Sequence, residues 1–217
     1  MRIIKFLTIM IGVFVCVAQA GAQVPEKDNQ IWNDFQLTIP MTKKADFLVQ
    51  GTLRLDRELA YDVRWGAGFN YKVNQYLTLN QSFFNGEGRP PNGQKTREVR
   101  LTFGATVQKP IGKFTLFDRN AFERRWRAPQ VDAWRYRNRV RLERPFTIGK
   151  KKFTWLISDE VFYDWSVRDW VRNRAEIGAY HAFNKHLTLE LYYMRQNDGR
   201  SRPGDLNIAG AVWRFKV

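Results

Sequence analysis

The sequence predicts an all-β fold: an antiparallel up-and-down transmembrane β-barrel of about ten strands, with twelve as the alternative count. Three observations lead to this prediction. Apolar and polar residues alternate with period two along most of the chain. The separators between these stretches are rich in Gly, Pro, Asn and Asp, and short separators alternate with longer ones, as in bacterial outer-membrane barrels. The first residues also have the pattern expected of a secretory leader.

Residues 1–22 are predicted to form a cleaved signal peptide. Arg2 and Lys5 provide the charged start, and an apolar run follows over residues 6–18. That run is short for a helix that spans a bilayer. Cleavage removes Cys16, the only cysteine in the sequence, so the exported protein is expected to fold without disulfides.

The formal net charge of +15 favours acidic partners such as nucleic acid, anionic lipid or lipopolysaccharide. Export argues against nucleic acid. The expected partners are outer-membrane lipids, with lipopolysaccharide among them, and the barrel assembly machinery during insertion. A monomer without a cofactor is expected.

Alternating stretches divide the chain into eleven predicted strands. Single-chain bacterial barrels have an even number of strands, so ten are assigned to a barrel over residues 46–217. The segment 23–45 is interpreted as one extra strand outside the barrel or an arm folded into it; two strands merged elsewhere would give twelve. The predicted strands are 31–39, 46–56, 58–73, 76–84, 95–109, 112–127, 132–147, 151–163, 169–183, 186–197 and 206–217.

Alternating arginines in the stretch WRYRNRVRLERPF (134–146) show how the two faces of a strand differ. The apolar parity is expected to face lipid and the charged parity the lumen, because a barrel of about ten strands has room for side chains and water inside. A lumen charge network is therefore predicted. Its members are Asp62, Arg64, Glu98, Arg100, Arg119, Glu123, Arg125, Arg135, Arg137, Arg139, Arg141, Glu143, Arg172, Arg174, Glu176 and Glu190.

The predicted network is expected to be chiefly structural. Guanidinium groups form forked hydrogen bonds with carboxylates, and a buried charge is costly without a partner. The alternative is an anion-selective pore or a polar ligand site lined by arginine. Sequence alone does not separate the two, because the same side chains can either plug or line a lumen.

Aromatic residues lie near the ends of the predicted strands. Trp126, Trp134 and Trp170 flank longer separators, whereas Tyr71 and Phe183 lie beside short ones. Such placement is typical of the two membrane–water interfaces of a barrel. The alternative is a soluble β-protein with aromatic strand ends.

Several motifs make the chain resemble a family of bacterial outer-membrane β-barrels, the domain-of-unknown-function family numbered 2490. The motifs are WNDFQL, DRNAFERRWR, RYRNRVRLERPF, DEVFYD, NRAEIGAY and LELYYMRQ, and they span most of the chain after the leader. The resemblance implies an outer-membrane location and no activity.

Residues suited to catalysis are few. His181 and His186 are the only histidines and flank a short turn, and Asp159 and Glu160 are adjacent, so they point to opposite faces of a strand. The sequence contains no nucleophile elbow, metal-ligand cluster or phosphate-binding loop. No catalytic, cofactor-binding or metal-binding residue is assigned, and an enzyme is not expected.

The function expected from the sequence is a non-enzymatic outer-membrane barrel of a Gram-negative bacterium, either a narrow, porin-like or plugged channel or a structural barrel. Two alternatives stay open. One is an outer-membrane enzyme that modifies lipid, and the other is a soluble periplasmic barrel that binds polyanions.

Overall fold

Eleven β-strands account for the regular structure in the computed structural model, which describes residues 27–55, 61–89, 94–201 and 203–217. The predicted signal peptide lies outside these residues. Within the described ranges, no helix is long and apolar enough to cross a membrane. The strands are β1 (Lys27–Pro40), β2 (Ala45–Leu55), β3 (Tyr61–Lys72), β4 (Leu77–Gly88), β5 (Thr96–Ile111), β6 (Phe114–Ala128), β7 (Ala133–Ile148), β8 (Lys151–Asp164), β9 (Asp169–Ala182), β10 (Leu187–Asp198) and β11 (Asp205–Lys216).

The strands close into one barrel, so the predicted all-β barrel is confirmed. Neighbours along the chain pair antiparallel, whereas β1 and β11 pair parallel, from Lys27 opposite Asp205 to Thr38 opposite Lys216. The predicted count of ten or twelve strands is wrong. The stretch 31–39 belongs to β1, which lies in the wall, and the barrel begins before residue 46. An unpaired edge would leave backbone N–H and C=O groups unsatisfied, and the parallel pairing satisfies them.

The two rims of the barrel differ in their connections, and the odd strand number places the start of β1 and the end of β11 at opposite rims. The short-turn rim carries the connections 41–44, 73–76, 112–113, 149–150 and 183–186, and the long-loop rim carries the other connections. Gly112 and Gly149 adopt φ values of 60°, which two-residue hairpin turns require. The rims differ in loop length less than the sequence predicts, because strands such as β4 extend into the separators. Lys27 and Lys216 lie at opposite rims.

The outer surface of the barrel is mainly apolar and the lumen is polar. Trp65 is 58% exposed and Ile177 is 59% exposed, whereas Arg135 is 4% exposed and Glu123 is 0% exposed. A water-soluble barrel has the opposite arrangement, with its apolar side chains inside. Polar residues interrupt the apolar surface on β6 to β9.

Aromatic and basic residues mark the two rims. Exposed rings lie near the long-loop rim at Trp126, Trp134 and Trp170, and near the short-turn rim at Tyr71 and Phe183. The short-turn rim is strongly basic. Its ten exposed lysines are Lys43, Lys44, Lys72, Lys109, Lys113, Lys150, Lys151, Lys152, Lys185 and Lys216.

One side of the lumen is apolar. Trp32 of β1 packs with Tyr192 and Met194 of β10 and with Leu206 and Ile208 of β11. These strands include the parallel pair, so side-chain packing supports the wall where the barrel closes. The opposite side, formed by β5 to β9, carries most of the charged groups.

The ring of Tyr192 requires a glycine on the neighbouring strand. A Cβ atom at Gly210 would lie 2.0 Å from Cζ of Tyr192. We expect Gly210→Val to lower the free energy of unfolding by about 2 kcal/mol, because the ring has to leave its position over β11. The temperature at which the folded barrel loses its gel mobility on heating should fall accordingly.

The matched control is Ala209→Val on the outer face of β11, where the side chain is exposed. It should unfold at nearly the wild-type temperature. Equal stability of the two variants would contradict the packing described for Tyr192.

Candidate functional site

The structure places all sixteen side chains of the predicted charge network on the lumen side of the wall. Fifteen of them line one of two chambers inside the barrel. The remaining one, Glu143, accepts a hydrogen bond from Arg141 over 2.7 Å. Strand alternation brings these groups together, because every second residue of β3, β5, β6, β7, β9 and β10 points inward.

Glu123 of β6 is the centre of the network. This fully buried carboxylate contacts Arg135 at 2.5 Å, Arg137 at 2.7 Å and Arg100 at 3.4 Å. Three guanidinium groups from β5 and β7 thus share one carboxylate. A buried ion pair offsets its desolvation only when its geometry is good and its remaining polar atoms are bonded, and this cluster meets both conditions.

A second buried carboxylate, Glu160 of β8, extends the network along the wall to β8 and β9. It contacts Arg137 at 2.6 Å and Arg174 at 3.8 Å. The charges of Arg119 and Arg139 also act on it. Arg137 therefore bridges the carboxylates of β6 and β8.

Further groups of ion pairs lie above and below this centre. Toward the long-loop rim, Glu98 contacts Arg125 at 2.8 Å and Arg100 at 2.6 Å. Toward the short-turn rim, Glu190 contacts Arg141 at 2.9 Å and Arg214 at 2.8 Å.

The sequence prediction misses several members of the network. Arg127 and Asp198 lie an even number of residues from predicted lumen residues of β6 and β10, and Glu160 and Asp164 lie an even number from each other on β8. Arg54 and Arg214 alternate with apolar neighbours on β2 and β11, and this alternation is the signal that identifies them. The missed residues are Arg54, Arg127, Glu160, Asp164, Asp198 and Arg214.

Two buried aromatic rings form a septum with guanidinium groups. The Arg54 guanidinium lies 3.6 Å from the ring centre of Trp32. The Arg174 guanidinium lies 5.0 Å from the ring centres of both Trp32 and Phe162. From β2 to β8 the order across the lumen is thus guanidinium, ring, guanidinium, ring. Cation–π attraction favours each of these contacts. We call Phe162, Arg174, Trp32 and Arg54 the septum.

The septum lies between two chambers. The vestibule, of about 660 Å³, opens at the long-loop rim, and the inner chamber, of about 300 Å³, lies below it. Trp32, Arg54, Arg64 and Arg174 line both. Three of the four septum residues thus face both chambers, and the fourth, Phe162, is almost fully buried beside Arg174.

The vestibule is lined by an excess of positive charge: ten arginines stand against four carboxylates among its described residues. In addition, Nε of Arg54 is buried and has no hydrogen-bond partner in the described part of the chain. The arginines are Arg54, Arg64, Arg89, Arg97, Arg125, Arg127, Arg135, Arg172, Arg174 and Arg200, and the carboxylates are Asp62, Glu98, Asp164 and Asp198. Arginine matches the geometry of phosphate and carboxylate groups, so this lining suits an anion.

The two histidines lie at the short-turn rim. Nδ1 of His181 contacts the carbonyl oxygen of Lys152 at 2.7 Å, and Nδ1 of His186 contacts that of Lys216 at 2.8 Å. Of the adjacent carboxylates, Glu160 points inward and Asp159 is exposed outside, as the sequence predicts. No group of three or more His, Cys, Asp or Glu residues in the described ranges is arranged to hold a metal ion.

Removing the charge of Glu123 tests the network. We expect Glu123→Gln to lower the free energy of unfolding by about 3 kcal/mol, because three buried guanidinium groups lose their shared carboxylate. Urea-induced unfolding in detergent micelles, followed by tryptophan fluorescence, measures the loss.

The control is Glu87→Gln, which removes a carboxylate that contacts Lys95 at 2.6 Å on the surface. Exposed pairs contribute little, so its stability should stay near wild type. Wild-type stability of Glu123→Gln would show that the network does not hold the barrel together.

Comparisons with known proteins relate this geometry to other chains. A search of the curated proteins finds no match. Among solved structures, the chain is similar to LpxR from Salmonella typhimurium, with 9% identity, a TM-score of 0.48, and coverage of 78% of this chain and 83% of that chain. It is also similar to the siderophore receptor PirA from Pseudomonas aeruginosa, with 9% identity, a TM-score of 0.32, and coverage of 75% of this chain and 34% of that chain.

The family resemblance seen in the sequence is confirmed. The family model described as "Protein of unknown function (DUF2490)" matches residues 29–207, a range that runs from β1 into β11. The chain belongs to the DUF2490 family of proteins of unknown function.

Proposed function

We propose that this protein is an outer-membrane β-barrel of a Gram-negative bacterium that binds a small anionic ligand in its vestibule and catalyses no reaction. The observation that carries the proposal is the vestibule itself, in which ten arginines face four carboxylates above the septum. Four of the ten arginines also contact carboxylates outside this lining, in the pairs Arg97–Glu87, Arg135–Glu123, Arg174–Glu160 and Arg200–Asp169. The guanidinium excess that remains includes Arg54, whose buried Nε has no hydrogen-bond partner in the described part of the chain, and it favours an anion in this confined space.

The outer surface supports a membrane location. Large apolar side chains cover the outside of the barrel, and rings with polar edges lie near both rims. A bilayer accepts such a surface, with its hydrocarbon against the apolar band and its interfaces against the aromatic residues. The closed hydrogen-bonded wall satisfies the backbone groups that a bilayer cannot.

The two rims support an orientation. Outer-membrane barrels commonly have short turns on the periplasmic side, so the vestibule opens to the cell exterior. The lysines of the short-turn rim then lie beside the periplasmic leaflet, where long flexible stems carry the ammonium groups to phospholipid headgroups. On the outer side, lipopolysaccharide phosphate groups are one source of anions near the vestibule.

The septum favours ligand binding over free passage. Trp32 and Phe162 are nearly fully buried, and guanidinium groups occupy the space between them. A channel needs a continuous water path, and side chains shared by the two chambers lie where such a path would run. We therefore assign a plugged barrel rather than an open pore.

The positions of the titratable groups argue against catalysis. Both histidines lie at the rim opposite the vestibule, and each uses Nδ1 to contact a backbone carbonyl. The buried carboxylates Glu123 and Glu160 are engaged by arginines. A general base has to reach the proton that it removes, and these groups are held away from the vestibule mouth.

Cell fractionation tests the location. The full chain should be recovered with the outer membrane; recovery in the soluble periplasm would favour the polyanion-binding barrel and reject the membrane assignment. Incubation with outer-membrane lipids, followed by mass spectrometry, should show no product, and a new lipid species would instead favour the enzyme.

Conductance in a planar bilayer tests the plug. The wild-type barrel should be silent, whereas Trp32→Ala should conduct ions because it removes the ring that Arg54 and Arg174 contact. Trp65→Ala removes an exposed ring from the outer face and should stay silent. Steady conductance by the wild type would reject the plugged barrel.

Calorimetric titration with inorganic pyrophosphate tests the vestibule. We expect binding that weakens as salt is added, since ions screen the attraction between charged groups. The double variant Arg54→Gln with Arg127→Gln should bind at least tenfold more weakly.

The control for the titration is Arg195→Gln, which alters an arginine that contacts Asp205 at 2.8 Å on the outer face. It should bind pyrophosphate like the wild type. Absence of binding by a folded wild type, or an equal loss in the control, would reject the vestibule as an anion site.

A further inference from the structure

Five polar residues form a patch on the outside of the barrel wall. They lie at outward positions on four successive strands, and we call them the outer polar patch: Asp118 and Asn120 of β6, Asn138 of β7, Asp159 of β8 and Asn173 of β9. Register places them in two neighbouring rows. Asp118 and Asp159 share one row, and Asn120, Asn138 and Asn173 share the next.

The patch lies within the apolar belt and not at its edge. Along β6, it lies between Phe114 and Phe122, and along β7, Asn138 lies between Trp134 and Phe146. Along β3, by contrast, the outward positions carry only apolar and aromatic residues. Charged and amide groups in the hydrocarbon region are costly, so lipid is a poor neighbour for this part of the wall.

Hydrogen bonds inside the patch reduce this cost only in part. Nδ2 of Asn138 donates to Asp118 over 2.6 Å and to Asn120 over 3.2 Å, and Tyr136 also donates to Asn120. Nδ2 of Asn173 donates to both oxygens of Asp159, over 2.9 and 3.1 Å. A carboxylate accepts more hydrogen bonds than these, and the Asn120 amide can still donate, so further partners are needed when water is excluded.

We propose that a second copy of this chain covers the outer polar patch, so that the protein forms a two-fold dimer through β6, β7 and β8. The inference rests on the proposed membrane location and replaces the monomer expected from the sequence. A two-fold axis beside β7 sets β6 of one copy against β8 of the other. In such a dimer the Asn120 amide of each copy, which has hydrogens left to donate, faces the partner's patch, and the carboxylate that it is expected to reach there is the partner's Asp159.

The surroundings of the patch favour close approach of two walls. Val140, Val161 and Ala175 share its rows and have small side chains. Toward the long-loop rim lies a cluster of exposed rings, in which Tyr163 packs 5.4 Å from both Trp165 and Trp170. Aromatic residues are enriched at protein interfaces, and this part of the aromatic rim continues the patch toward the long loops.

Cysteine cross-linking in membranes tests the dimer, because Cys16 is the only native cysteine and Cys16→Ser removes it. Val140→Cys on β7 and Val63→Cys on β3 make a matched pair, since both valines point outward and both are 42% exposed. A short bis-maleimide should link Val140→Cys chains into dimers and leave Val63→Cys chains monomeric. In addition, light scattering in detergent should give twice the mass of one chain.

Asn120→Leu with Asp159→Leu, placed in the Val140→Cys background, should lower cross-linking at least fivefold. This variant should still fold, because leucine suits a lipid-facing position, and heat-dependent gel mobility checks that it does. Only monomers from Val140→Cys, or equal cross-linking at both valines, would overturn the dimer. In a chain recovered with the outer membrane, that failure leaves the location intact; recovery in the soluble fraction would instead reject the location itself.

Discussion

Charge compensation inside a closed wall is the constraint on which this structure depends. Every strand has one apolar and one polar face, and closing the sheet forces one face into a narrow lumen. With the charged faces inside, each guanidinium loses water and needs a carboxylate, a carbonyl or a ring. Glu123 and Glu160 meet this need from β6 and β8, and their arginines come from β5, β7 and β9. Other pairs join strands that are not neighbours in the wall: Arg125 of β6 contacts Asp164 of β8, and Arg141 of β7 contacts Glu190 of β10.

Arginine and lysine are separated in this barrel for a physical reason. Arginine lines the lumen, where its planar, forked group can contact two carboxylates or stack on a ring, as Arg137 and Arg174 do. Lysine gathers at the short-turn rim, where its strongly hydrated ammonium group stays exposed. The net positive charge therefore has two parts: carboxylates neutralise much of the arginine charge in the lumen, whereas the lysine charge at the short-turn rim is mostly left exposed.

The strands and their faces could be predicted from the sequence, whereas the closure could not. The alternation of polar and apolar residues identifies which side chains point inward, as the four alternate arginines between positions 135 and 141 show. The alternation does not indicate which strand pairs with a terminal strand. The rule that single-chain barrels have an even number of strands therefore places residues 31–39 outside the barrel, although β1 lies in the wall. The septum was missed for a related reason: Trp32 and Phe162 read as apolar residues, although their parity places them among charged neighbours. The outer polar patch lies on the parity assigned to lipid, where alternation alone gives no reason to expect paired amides and carboxylates.

The parallel seam between β1 and β11 has a topological consequence. In an even-stranded barrel the start of the first strand and the end of the last strand lie at the same rim, so a few residues can join them and the chain can be opened elsewhere. Here the start of β1 and the end of β11 are separated by the full height of the wall. A circular permutant would need a linker that runs the height of the wall, either through the lumen or along the outside, so a short connection does not permit another order of strands.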